Sequence, residues 1–116
     1  AGCYDRALQA KPTLAPIRNE AFNQLKNRKG TIAMSRRVDY ADSATSQFFF
    51  NLSDNEMLDH DPEKGDDGLG YCVFGEIVGG LDVLEQIART KVADQGEFQN
   101  VPVVPIVIQS IEKVQE

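Results

Sequence analysis

The run Gln47-Phe-Phe-Phe-Asn51 sets an amide, an aromatic ring and a second amide at alternate residues. In an extended chain alternate side chains share a face, so Gln47, Phe49 and Asn51 are expected on one side and Phe48, Phe50 and Leu52 on the other. The second face reads as core. The first combines an amide with an apolar ring, which suits gripping an extended peptide better than filling an interior.

Other side chains with reactive chemistry are few. Cys3, Cys72 and His60 are too few for a zinc site or a disulfide framework. A Cys3–Cys72 bridge is compatible with the sequence but nothing requires it, and Cys72, inside Tyr71-Cys-Val-Phe, reads as a buried thiol. Asp59, Asp61 and Glu63 alternate as calcium ligands do. The glycine comes one position late for an EF-hand loop, however, and the closing glutamate is missing. No metal is expected, and residues 59–70 read as a solvated acidic loop.

The elements that would position these residues follow from pattern. Thr31 to Arg36 predicts a strand with Ile32 and Met34 on one face and Ala33 and Ser35 on the other. Gln47 to Leu52 and Tyr71 to Val78 predict two more, the latter stopped by Gly79-Gly80. Leu81, Leu84, Ile87 and Ala88 recur at helical spacing, with Asp82 and Glu85 near the end that favours negative charge. Pro105 to Val114 predicts a last strand with Ile106 and Ile108 inward and an irregularity near Ser110. Residues 1–30 read as irregular, because Pro12, Pro16, Asn19, Asn23 and Asn27 interrupt any period. Several strands, one clear helix and no βαβ alternation point to a mostly antiparallel sheet or barrel.

Composition bounds the remainder. A chain of 116 residues suits one domain. Hydrophobic residues at 41% and charged residues at 26% exclude a disordered or fibrous chain. No apolar run approaches the ~18 residues of a membrane-spanning helix, so no membrane association is expected. Residues 1–37 hold eight Lys or Arg against two acidic residues, whereas the remainder holds four against sixteen. A basic opening inside an acidic whole, without interleaved aromatics, argues against nucleic acid as a partner.

Three long motifs resemble the cyclophilins, a family of peptidyl-prolyl cis-trans isomerases: Gly30-Thr-Ile-Ala-Met-Ser; Asp42-Ser-Ala-Thr-Ser-Gln-Phe-Phe-Phe-Asn; and Gly70-Tyr-Cys-Val-Phe-Gly-Glu-Ile-Val-Gly-Gly-Leu-Asp-Val. Pro16-Ile-Arg-Asn-Glu and Asn100-Val-Pro are similar to the bacterial branch. The resemblance runs through essentially the whole chain in order. It implies a mainly β fold, an antiparallel barrel with capping helices, and an activity on proline-containing polypeptides that needs no cofactor. By motif, Phe49, Met57 and Leu58 would line the proline pocket, and Gln47 would hydrogen-bond the substrate backbone. Tyr71 would stand at the pocket edge, and Ser35 with Arg36 would border the groove. Gln47, Phe49 and Tyr71 are thus the expected catalytic group.

Two departures from the family pattern carry expectations of their own. Relatives open with a Phe-His-Arg strand and a Phe-Met-x-Gln-Gly-Gly segment, whose Arg is the main catalytic residue. No Arg here matches that motif, and Arg36 and Arg37 lie elsewhere in the pattern. Residues 1–116 are therefore expected to be a single cyclophilin-like domain that is N-terminally incomplete, with a complementing N-terminal segment as a partner. Met57 stands where relatives usually carry Trp or Phe, so weak cyclosporin binding is expected. The alternatives are a non-catalytic module that binds proline peptides and a fragment inactive without its complement. The bacterial cytoplasm or periplasm is the expected location.

Overall fold

The computed structural model describes residues 1–114. A short strand, β1 (Thr31–Met34), is central in a three-stranded antiparallel sheet between β2 (Phe48–Phe50) and β3 (Val73–Glu76). Pairing along both edges buries it, and Ile32 and Ala33 lie in the core. Ala33 stands opposite Phe49 on one side and Val73 on the other. On β3 the register slips, since Ile32 faces Gly75 while Ala33 faces Val73. Phe74 is thus an extra residue, a β-bulge that turns its ring outward. All three strands fall where alternation predicts them, β1 shorter at its C-terminal end and β2 and β3 at both ends.

Among the described residues the buried apolar core is small: Ala21, Ile32, Ala33, Ala44 and Val73. Phe48 and Phe50, expected in the core, are only half-buried and meet each other edge-on at 5.7 Å. The reason is their place on an outer strand, where no further strand of the sheet lies beyond them. Leu52 lies past the end of β2 and is exposed. Asn51, expected on the ligand-facing side, is instead buried.

The helix α1 (Leu81–Ala88) forms where the spacing of Leu81, Leu84 and Ile87 places it, with Asp82 in its first turn. Those three side chains are half-buried on one face, and Lys29 reaches Glu85 at 3.2 Å from the turn before β1. A hairpin follows: β4 (Val92–Gln95) and β5 (Phe98–Pro102) pair antiparallel around Gly96-Glu97. Tyr4 packs edge-on against Phe98 at 5.1 Å.

The expected strand at 105–114 is absent. Ile106 and Ile108 are exposed, and no strand pairs with this segment among the described residues. Apolar alternation supplies a face, but a strand also needs a neighbour to satisfy its backbone. Residues 1–30 are irregular as expected, apart from one 3₁₀ turn at Ala21–Asn23 and two isolated bridges, Tyr4–Ala10 and Ile17–Ala44. The acidic loop is more ordered than expected. Pro62–Gly68 winds as two 3₁₀ turns broken at Gly65, and the Asp61 carboxylate accepts from the Glu63 N–H at the start. No described helix is long and apolar enough to cross a membrane. The two antiparallel sheets give a mainly β architecture.

Candidate functional site

β2 and the chain beyond β1 run side by side, and the Ser35 N–H donates to the Gln47 carbonyl at 2.9 Å. That bond holds Ser35-Arg36 next to Gln47-Phe-Phe. Phe49 is half-buried, and its ring meets Tyr71 edge-on, with centroids 5.8 Å apart at 78°. The Arg36 guanidinium lies over the Tyr71 ring, 4.4 Å from its centre. Tyr71 therefore packs against both Phe49 and Arg36, joining three separate segments.

Arg36 is held in place by its own hydrogen bonds. Nε donates to the Gly70 carbonyl at 2.9 Å, and Nη1 donates to the Arg37 carbonyl at 2.8 Å. With those donors engaged, its plane is fixed as a lid on the tyrosine, a cation–π contact worth about 0.5–1 kcal/mol at an exposed site. Arg37 turns away, pairing with Asp39 at 2.9 Å and holding that carboxyl below the usual carboxylate range.

Tyr71 arrives from a loop whose neck is closed by its own N–H donating to the Leu58 carbonyl at 2.8 Å. Gly70 makes the turn into the neck at φ +80°, and a Cβ there would stand 2.6 Å from the His60 backbone nitrogen. Only glycine fits that conformation at that distance. Beside Tyr71, the Cys72 thiol is half-buried and free, as is Cys3, and burial pushes the Cys72 pKa up.

Ser35, Arg36, Gln47, Phe49, Leu58 and Tyr71 are thus brought together by backbone pairing and ring packing. Met57 is not part of that group. It is 75% exposed and lines a polar cleft of about 500 Å³ with Lys26, Arg28, Glu56 and His60. Neither Gln47, Phe49 nor Tyr71 lines this cleft. Gln47 is exposed, and among the described residues its amide and the Tyr71 hydroxyl make no hydrogen bond, leaving both free for a ligand. The arrangement offers an apolar shelf of two rings, with the exposed Gln47 two residues before Phe49 along the chain.

Sequence reasoning missed the residues beneath this shelf. Asn27 and Asn51 are each 1% exposed and bond to one another at 3.0 Å. The available signal was the spacing of Asn19, Asn23 and Asn27, four residues apart in a segment whose only helical turn is the short 3₁₀ piece Ala21–Asn23.

The family model described as cyclophilin type peptidyl-prolyl cis-trans isomerase/CLD matches residues 3–113. The chain is 46% identical over 109 residues to "Peptidyl-prolyl cis-trans isomerase A" of Dickeya dadantii, covering 94% of this chain and 55% of that protein. It is 42% identical over 111 residues to a peptidyl-prolyl cis-trans isomerase of Acinetobacter baylyi, covering 96% and 56%. It is also 42% identical over 110 residues to "Peptidyl-prolyl cis-trans isomerase B" of Escherichia coli, covering 95% and 66%. The chain spans between about half and two-thirds of the length of these relatives.

Proposed function

The chain belongs to the cyclophilin family, and from that premise we propose that its protein is a peptidyl-prolyl cis-trans isomerase acting on extended, proline-containing polypeptides. The observation that carries this reading is the Phe49–Tyr71 shelf, with the exposed Gln47 two residues before Phe49. An Xaa-Pro bond has cis and trans forms within about 0.5–1 kcal/mol of each other but interconverts over tens to hundreds of seconds. The barrier comes from amide resonance. A catalyst must therefore bind the twisted amide better than either planar form. In the proposed mechanism Phe49 and Leu58 hold the proline ring, and Tyr71 bounds it. The Gln47 amide fixes the flanking backbone while Ser35 and Arg36 border the groove, so that one side of the bond stays still as the other turns.

The guanidinium that the family places against the proline nitrogen would stabilise the transition state electrostatically. We do not assign that role to Arg36, which lies elsewhere in the family pattern and whose Nε and Nη1 turn to the Gly70, Arg37 and Val38 carbonyls. A complementing segment that carries such an arginine is the proposed partner. Support comes from the sheet's outer strands, of which β2 is met beyond its edge, among the described residues, only by Ala1 at Phe48, and from the exposed apolar side chains Phe74, Val78, Ile106 and Ile108. With a flexible, exposed Met57 in place of an aromatic, cyclosporin should bind weakly. A sub-micromolar dissociation constant in the full-length protein would refute that. The proposed location is the bacterial cytoplasm, favoured slightly over the periplasm.

A protease-coupled assay on a short Xaa-Pro peptide, run on this chain and on the full-length protein, tests the reading. Turnover in the full-length protein supports it. Peptide binding without turnover in both would make the protein a non-catalytic binding module, and neither binding nor turnover would overturn the reading altogether.

A further inference from the structure

We propose that three asparagines, Asn19, Asn23 and Asn27, are positioning residues that set Tyr71 against Phe49, with Asn27 as the principal one. The side-chain amides sit four residues apart along an irregular segment, and each donates Nδ2 to a backbone carbonyl of residues 70–73. Asn19 reaches Gly70 at 3.1 Å, Asn27 reaches Tyr71 at 3.2 Å and Asn23 reaches Val73 at 3.0 Å. They fasten the chain on both sides of Tyr71.

Asn27 also holds the opposite strand of the loop neck. Its Nδ2 donates to the Leu58 carbonyl at 3.2 Å and to Asp59 Oδ1 at 3.0 Å, and its backbone N–H donates to the same Asp59 oxygen at 2.6 Å. Its Oδ1 in turn accepts from Asn51 Nδ2 at 3.0 Å. Asn51 lies one residue past the end of β2, which carries Phe49, and also donates to Thr31 Oγ1 at 2.9 Å. One buried amide therefore ties together three segments: Leu58, Tyr71 and the strand bearing Phe49.

The chemistry requires an amide. The two N–H bonds of Asn27 Nδ2 are shared among two carbonyls and a carboxylate, one of them bifurcated, while Oδ1 accepts from Asn51, and only a side chain with both an N–H₂ and a C=O does this. An aspartate of the same shape would face three oxygens with an oxygen. Buried amide networks of this kind hold only when fully satisfied.

The proposal rests on the isomerase reading of the site, and the test separates the two. In the full-length protein, Asn27→Ala and Asn27→Asp are compared with Lys29→Ala, which breaks only the exposed pair to Glu85. All are measured well below their Tm. We expect both Asn27 variants to lose the Tyr71–Phe49 ring NOE and to move the Tyr71 ring resonances toward random-coil values. Amide shifts of α1 and of the β4–β5 hairpin should stay in place, and kcat/KM should fall at least about tenfold, since displacements near 1 Å at a site carry effects of that order. Lys29→Ala should change none of these.

A lowered Tm with unchanged Tyr71 shifts, NOE and kcat/KM would make Asn27 merely structural and overturn the proposal. If the Asn27 variants do not fold, Asp59→Ala removes the oxygen that accepts from both Asn27 nitrogens, and the same readouts decide. Absence of isomerase activity in the unmutated protein would defeat the functional reading, while the NOE and ring shifts would still decide whether Asn27 positions Tyr71.

Discussion

Replacing Phe49 with alanine removes the ring that faces Tyr71, and the consequences can be worked from its surroundings. Truncating a fully buried Phe costs about 3–5 kcal/mol. Phe49 is half-buried, so roughly 2 kcal/mol is expected, including the edge-on contact with Tyr71, itself worth about 0.5–1.5 kcal/mol. In urea titration the midpoint should drop with an unchanged slope, because the folded surface elsewhere is untouched. Activity gives a second number. A proline ring brings three methylenes at about 0.8 kcal/mol each, and a wall covering half of them contributes about 1.2 kcal/mol. Since 1.36 kcal/mol is tenfold, kcat/KM in the full-length protein should fall by roughly an order of magnitude. Phe49→Leu, which keeps apolar bulk, should lose only a few-fold. Tyr40→Ala is the control, an exposed ring in the loop between β1 and β2. If Phe49→Ala isomerises a short Xaa-Pro peptide within twofold of wild type, the reasoning about the shelf is refuted.

Gly70→Ala puts a Cβ 2.6 Å from the His60 nitrogen at a φ of +80°, so it should destabilise by more than the ~1 kcal/mol of a positive φ alone. It should also shift Tyr71 resonances, and a urea midpoint equal to wild type would count against the closed neck. The raised Cys72 pKa gives a pH signature. The unfolded chain loses this proton first, so it binds fewer protons than the folded state, and stability falls as pH climbs from the ordinary thiol range toward the raised value. The alkaline loss should be smaller in Cys72→Ser, and identical pH profiles for the two proteins would contradict the burial argument.

β1, β2, β3 and α1 were legible because each carries a strong period and a clear stop, as at Gly79-Gly80. The β4–β5 hairpin was not. Val92-Ala-Asp-Gln is exposed throughout and shows no apolar face to read. The segment 105–114 misled in the opposite way, with a convincing apolar pattern but no strand beside it to complete the backbone bonds. Phe48 and Phe50 looked like core because sequence pattern reports which face is apolar and not whether anything covers it. At the site, alternation put Gln47 and Phe49 together, while the meeting of Phe49 with Tyr71 and Arg36 depends on contacts across 22 or more positions of chain. The asparagines were read as breakers of periodicity, which they are. Their second role depends on which carbonyls lie opposite, and that is a tertiary fact.

The central claim is that a proline ring sits on the Phe49–Tyr71 shelf with its backbone held by Gln47. Titrating the full-length protein with a short Xaa-Pro peptide while following the Gln47 side-chain amide and the Phe49 and Tyr71 ring resonances tests this most directly. The account predicts saturable shifts at all three, with β4 and β5 unmoved. Saturable peptide binding that leaves those three side chains undisturbed would contradict it.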